Sequence, residues 1–279
     1  MNYKKTLFPL LFVTVILTSC NKGFETTDNG VKYKILRHND SARTIKPGEI
    51  LLMNLKMTTE TSDSLIMETY SDKSPRYIPS DEPNLKEVFA VMSKGDSAEL
   101  IVNADSLFRN SFNVEKPASM KDEMNVRFLV TVVDVFSQKE LENKKTEQLN
   151  MLRLKDSNAL AAYISKLDNL KTTETGLMYI VNKSGSGKSP KKGSTVNMKY
   201  KGYFMNGELF DESPPTEPLS FTLGLHQVIQ GWEEAAALMK EGDQLKLVIP
   251  WKLAYGERGS GAILPCTSLV FDVELLKVK

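Results

Sequence analysis

The chain repeats itself, and the repeat limits what it can fold into. Thr26-Thr27-Asp28-Asn29-Gly30-Val31-Lys32-Tyr33 matches Thr172-Thr173-Glu174-Thr175-Gly176-Leu177-Met178-Tyr179. Met92-Ser93-Lys94-Gly95-Asp96 matches Met239-Lys240-Glu241-Gly242-Asp243 at an offset that agrees within one residue. Val126, Phe128, Val130 and Val132 alternate as Leu269, Phe271, Val273 and Leu275 do, the period-two pattern of a half-buried strand. Two motifs and a strand kept in step imply two copies of one fold, and the length suits two domains of ~100 to 200 residues each. Between the copies, residues 137–175 hold neither Gly nor Pro and are rich in Lys, Glu, Leu and Asn, a helical linker composition. Leu160, Tyr163, Ile164 and Leu167 recur at helical spacing, and Asp156-Ser157-Asn158 suits the cap of a second helix after one starting near Gln138. The expected divisions are a signal at 1–19, a tether at 20–29, domains at 30–136 and 172–279, and a linker at 137–171.

The start of the chain reads as a transport signal: Lys4-Lys5, an apolar run from Leu7 to Leu17, then Leu17-Thr18-Ser19-Cys20. The run is shorter than the ~20 residues a spanning helix needs. Small residues before a cysteine are similar to a bacterial lipobox, which implies cleavage, lipid on Cys20 and stable membrane anchoring without a transmembrane helix. Asn21-Lys22-Gly23 shows no acidic cluster that would suggest surface display, so the expected location is the outer membrane, facing the periplasm. Losing Lys4 and Lys5 turns a formal charge of +1 slightly negative, and no basic stripe for nucleic acid is present. Cys266 is the one cysteine left after lipidation, so no intramolecular disulfide is available. His38 and His226 lie far apart with no cluster in ligand spacing, and neither metal nor cofactor is expected.

In the second copy, Val196, Met198 and Tyr200 alternate with polar residues, which points Tyr200 inward. Asn206-Gly207 suits a tight primed turn before Phe210-Asp211. Trp232, Ala235, Ala236 and Met239 share one helix face, Glu233 and Glu234 suit its N-terminal end, and Gly242 suits its stop. Leu245, Leu247 and Ile249 alternate up to Pro250, with Tyr255 just beyond. The sum is an α+β fold, an antiparallel sheet wrapped around a short helix.

From Thr175 to Lys279, Tyr200, Phe210-Asp211, Phe221, Val228-Ile229, Trp232, Tyr255 and Phe271 stand in the order and spacing of the FK506-binding (FKBP) type of peptidyl-prolyl cis-trans isomerase, which this segment resembles. The resemblance implies a pocket floored by Trp232 and walled by Tyr200, Phe210, Phe221, Val228, Ile229 and Phe271. It also implies polar handles from the Tyr255 hydroxyl, the Ile229 N–H and the Asp211 carboxylate. Each aromatic has a plainer reading as core, and Asp211 as a turn residue. Loss of Trp232 is expected to cost activity severely and folding moderately. Leu219 stands where the family often has an aromatic, and the flap at 261–268 is about one residue short, with Cys266 in place of a common proline or aromatic; Cys266 reads as a packing residue.

The implied substrates are proline-containing segments of exported proteins. The alternative is a non-catalytic client-holding chaperone or an assembly lipoprotein. Family members with long helical arms dimerise through them, which opens a homodimer through residues 138–170 beside the plainer reading of a connector packed on a domain. In the first copy Leu55, Met67, Leu85 and Phe108 fall at Tyr200, Asp211, Trp232 and Tyr255, so that copy is expected to keep the scaffold without the handles and to serve as client holder or spacer.

Overall fold

The computed structural model describes residues 23–71, 73–120 and 124–279. The expected transport signal and Cys20 lie outside the described residues. No helix among those described is long and apolar enough to cross a membrane. The chain divides into two compact units, one ending at Leu141 and the other spanning Glu142–Lys279.

The first unit contains β1 (Glu25–Thr26), β2 (Lys32–Arg37), β3 (Ile50–Thr59), β4 (Leu65–Glu68), β5 (Arg76–Pro79), α1 (Lys86–Phe89) and β6 (Ser97–Asn103). Then come α2 (Ala104–Ser106), one π turn at Leu107–Ser111 and β7 (Asn125–Phe136). Helix α3 (Gln138–Ile164) crosses from one unit into the other. The second unit continues with β8 (Lys171–Thr172), β9 (Met178–Lys183), β10 (Thr195–Phe204), β11 (Leu209–Glu212), β12 (Leu219–Thr222), α4 (Gln230–Leu238), β13 (Gln244–Ile249) and β14 (Leu269–Val278).

The two sheets have one topology. The first runs β1-β2-β6-β7-β3-β4 with β5 also on β3; the second runs β8-β9-β13-β14-β10-β11 with β12 also on β10. All pairs are antiparallel. Along β3 the residues Leu51, Met53, Leu55 and Met57 are buried in turn against Val88 and Phe89 of α1. In the second unit Val196 and Met198, Leu245 and Leu247, and Phe271 and Val273 meet Trp232, Ala235 and Ala236 of α4. The small side chains of Ala235 and Ala236 let α4 lie close on the sheet. At its start Gly231 has no room for a side chain, since a Cβ there would come within 2.6 Å of Ile249 Cγ2.

The repeated motifs have physical jobs. In each copy a Thr–Gly turn closes the first hairpin, with Gly30 N–H donating to Thr27 C=O and Gly176 N–H to Thr173 C=O. In each, the Gly-Asp motif places a carboxylate that ties two loops together. Asp96 accepts from the N–H of Ser93 (2.8 Å) and of Asn39 (2.7 Å) and bonds His38 Nδ1. Asp243 accepts from the N–H of Lys240 and of Gly185, both at 2.6 Å.

Several local expectations are corrected. Helix α3 is unbroken: Asp156-Ser157-Asn158 caps no second helix, because the Asp156 carboxylate is engaged by Ser268 across the unit. The helix starts instead at a capping box, with Glu140 N–H donating to Ser137 Oγ and Ser137 N–H to Glu140 Oε2. Leu160, Tyr163, Ile164 and Leu167 pack on Met178, Val248 and Val270 of the second unit. At Asn206-Gly207 only the glycine has positive φ (89°), so the turn is an ordinary one closed by a glycine bulge, Phe204 N–H donating to Glu208 C=O. Helix α4 ends at Leu238 because Met239 turns extended, and Gly242 (φ 91°) shapes the following turn into β13. Glu25–Thr26, expected in the tether, and Lys171, expected in the linker, already pair as edge strands.

Asp96 is fully buried. Asp96→Ala strands two N–H groups at about 1–3 kcal/mol each, so a fall of at least about 2 kcal/mol in unfolding free energy is expected in urea titration of the full chain.

Candidate active site

Register brings the site together. Tyr200 on β10 lies opposite Val273, and Gly202 lies opposite both Phe271 of β14 and Asp211 of β11. Alternation then sends Tyr200 and Phe271 to the face covered by α4, where Trp232 is buried, and the bulge that skips Phe210 between Asp211 and Leu209 turns that ring into the same cluster. The Trp232 ring stands edge to face with Tyr200 (5.0 Å, 86°) and Phe271 (5.3 Å, 90°), and Phe221 packs at 6.3 Å. Phe210 meets Phe271 at 5.7 Å. Val228 and Ile229, half-buried, join the same cluster just before α4. Edge-to-face pairs are favoured by the ring quadrupole and add to what burial supplies, so the rings fix one another's orientation.

Gly202 lets two rings close over the strand. A Cβ there would come within 2.7 Å of both the Phe210 and Phe271 rings. At the matching register of the first copy stands Met57, facing Phe128 and Met67 and buried to 1%. Leu55 pairs with Val130 as Tyr200 does with Val273, and Phe108 is buried edge-on to Phe112. The first copy thus carries aliphatic bulk at Leu55 and Met57 where the second carries the Tyr200 ring and a glycine.

The polar groups lie at the rim. Tyr200 Oη donates to Asp211 Oδ2 at 2.7 Å, and Asp211 is exposed. Burial, together with that carboxylate, pushes the Tyr200 phenol up to about 12. Tyr255 is 37% exposed, and among the described residues its hydroxyl has no hydrogen-bond partner. Burial first, and then the Asp211 charge, push its phenol up as well. The Ile229 N–H at the start of α4 likewise bonds to none of the described residues, while its C=O accepts from Trp232 N–H. Two donors are therefore free beside an aromatic floor.

The site roles of four residues escaped the sequence reading. Glu233, read as a helix-end charge, accepts from the N–H of Gly224 (2.6 Å) and of His226 (3.0 Å) and so staples the loop that delivers Val228 and Ile229. Phe204, at the far end of β10, stacks on Phe210 at 4.9 Å; its signal is its even spacing from Tyr200 on one strand. Arg153 and Asp156 reach the site's loops from α3, a contact no local pattern announces. Cys266 is buried, and burial pushes its thiol up, which suits packing. Among the described residues no cluster suited to a metal ion exists.

An apolar aromatic box with free donors and no nucleophile defines a site that holds and reshapes a chain without breaking bonds. The sequence model of the FKBP-type peptidyl-prolyl cis-trans isomerases matches residues 186–276. The FKBP-type isomerase FkpA of Aeromonas hydrophila is 32% identical over 281 residues, covering 100% of this chain and 95% of that protein. FkpA of Escherichia coli K12 is 37% identical over 199 residues, 71% of this chain and 70% of the other. An FK506-binding protein of Neisseria meningitidis is 47% identical over 96 residues, covering 34% of this chain and 88% of that protein. The chain belongs to the FKBP-type peptidyl-prolyl cis-trans isomerase family.

The folded state holds the Tyr200 proton more tightly than the unfolded chain does, so the stability tied to this group is present below pH ~10 and is lost as pH rises toward ~12. Absorbance titration of tyrosinate should show one step near pH 12 that disappears in Tyr200→Phe, and kcat/KM should show no step from Tyr200 below pH ~10.

Proposed function

We propose that the box around Trp232 is where the chain isomerises X-Pro bonds of exported proteins. The supporting observation is the buried Trp232 floor set edge-on to Tyr200 and Phe271, with the Tyr255 hydroxyl and Ile229 N–H free at its rim. Rotation about the bond must overcome roughly 18–20 kcal/mol of lost amide resonance. Resonance places negative charge on oxygen and positive charge on nitrogen, so the planar amide is the more polar form. An apolar, water-poor box favours the twisted form relative to water, which is differential binding of the transition state. Tyr255 and the Ile229 N–H donate to carbonyls flanking the proline and hold the chain while the bond turns. Asp211 orients the Tyr200 ring through its hydroxyl and presents a negative rim.

The first copy has no such floor, and its proposed work is to hold clients near the active copy. Lipid on Cys20 tethers the protein to the outer membrane, facing the periplasm, where uncatalysed isomerisation over tens to hundreds of seconds limits folding. Met151 and Leu154, exposed on α3, support a homodimer through residues 138–170.

Trp232 is 3% exposed in the core of the unit, so the moderate folding cost expected from sequence is revised upward: Trp232→Ala should cost about 3–5 kcal/mol. Trp232→Phe keeps much of the bulk and is the sharper test. A fall in kcat/KM of at least about 10-fold on an X-Pro peptide, with a melting temperature that stays above the assay temperature, is the expected result; unchanged turnover would remove Trp232 from the mechanism. For the anchor, full-length protein expressed in a Gram-negative host should fractionate with membranes and Cys20→Ser should not; equal distribution of the two would exclude the lipid.

A further inference from the structure

We infer that Asp156 and Arg153, on α3, are positioning residues for the active site, fixing the segment that carries Tyr255. This rests on the role proposed above for Tyr255. Asp156 Oδ1 accepts from Ser268 N–H and Oδ2 from the Ser268 hydroxyl, both at 2.6 Å. Ser268 is fully buried, and its Oγ in turn accepts from Trp251 N–H at 3.0 Å. The Trp251 C=O then accepts from Ala254 N–H (3.1 Å) and from Gly256 N–H (2.9 Å), the residues on either side of Tyr255. The Gly256 C=O accepts from Cys266 N–H at 2.9 Å, which ties the same turn to the flap. A short chain of bonds thus runs from a helix outside the sheet to the backbone on both sides of the rim tyrosine.

Arg153 supplies a second tie. It stands one helical turn before Asp156, pairs with Glu257 two residues beyond Tyr255, and lies 5.9 Å over the Trp251 ring. Packing alone does not require these two residues. The apolar stripe of Leu160, Tyr163 and Ile164 already seats this part of α3 on the sheet, and a carboxylate brought against buried groups is costly unless it is hydrogen-bonded. Ser268 also leads directly into β14, whose Phe271 walls the pocket. Asp156 therefore holds both the loop of the donor and the root of the wall, and a misplacement of about 1 Å at such a point costs as much as 100-fold in rate.

The test uses the full chain, with amide exchange read beside kinetics on an X-Pro peptide. In Asp156→Ala, exchange at Gly256 and Ser268 should quicken by at least about 10-fold while β10 and β13 keep their protection. Its kcat/KM should fall about 5-fold or more, and by less than about 2-fold when added to Tyr255→Phe, since both changes act through one group. Asp156→Asn keeps an acceptor for the Ser268 N–H and should recover most of the activity. Unchanged exchange, losses that multiply in the double variant, or general loss of protection across β10 and β13 would each overturn the inference while leaving the isomerase reading to Trp232→Phe. A fully active Tyr255→Phe would overturn both the role of Tyr255 and this inference.

Discussion

The pairing of β10 with β14 governs everything at the site. These strands are hydrogen-bonded along most of their length, and because side chains alternate faces, the register decides which ones meet α4. Slipping β10 by one residue against β14 would send Tyr200 to the outer face and bring Lys199 inward. The bulge between Asn197 and Met198 sets the phase, so that Tyr200, Gly202 and Phe204 point as they do. Trp232 has its place only because that face is already aromatic.

The two copies form a controlled comparison within one molecule. Strand order, hairpin turns and carboxylate ties are shared, so the scaffold is indifferent to whether a pocket exists. The difference lies in what occupies equivalent positions. Met57 supplies bulk where Gly202 supplies none, and Leu55, Leu85 and Phe108 offer nothing that donates a hydrogen bond. At the Gly202 position the room that Met57 fills in the first copy is taken by the Phe210 and Phe271 rings.

What sequence revealed followed from periodicity and order. The alternation in Val196 to Tyr200 and in Leu269 to Leu275 is a property of neighbours along the chain, as is the helical spacing of Trp232, Ala235 and Met239. The FKBP resemblance rested on motif order, which survives without coordinates. Interactions between distant segments were hidden. Asp156 looked like a cap because Asp, Ser and Asn favour caps, and only its approach to Ser268 shows another use. Glu233 looked like a partner for the helix dipole, and the Gly224 and His226 amides that it binds come from a loop without a pattern. The Asn206-Gly207 turn was legible as a turn but not by type, since one positive φ and two positive φ both admit that pair.

The outermost strands of each sheet are brief: β1 and β8 have two residues each, β4 and β11 four. A long open rim would offer rows of unpaired N–H and C=O groups to any extended chain. An enzyme whose substrates are proline-containing segments meets such chains at every turnover. With so little free ladder at its margins, the protein gives an unfolded substrate scant template on which to add a strand, and engagement is left to side-chain pockets that release what they hold. Short margins of this kind are one of the ways a sheet avoids edge-to-edge pairing with another chain.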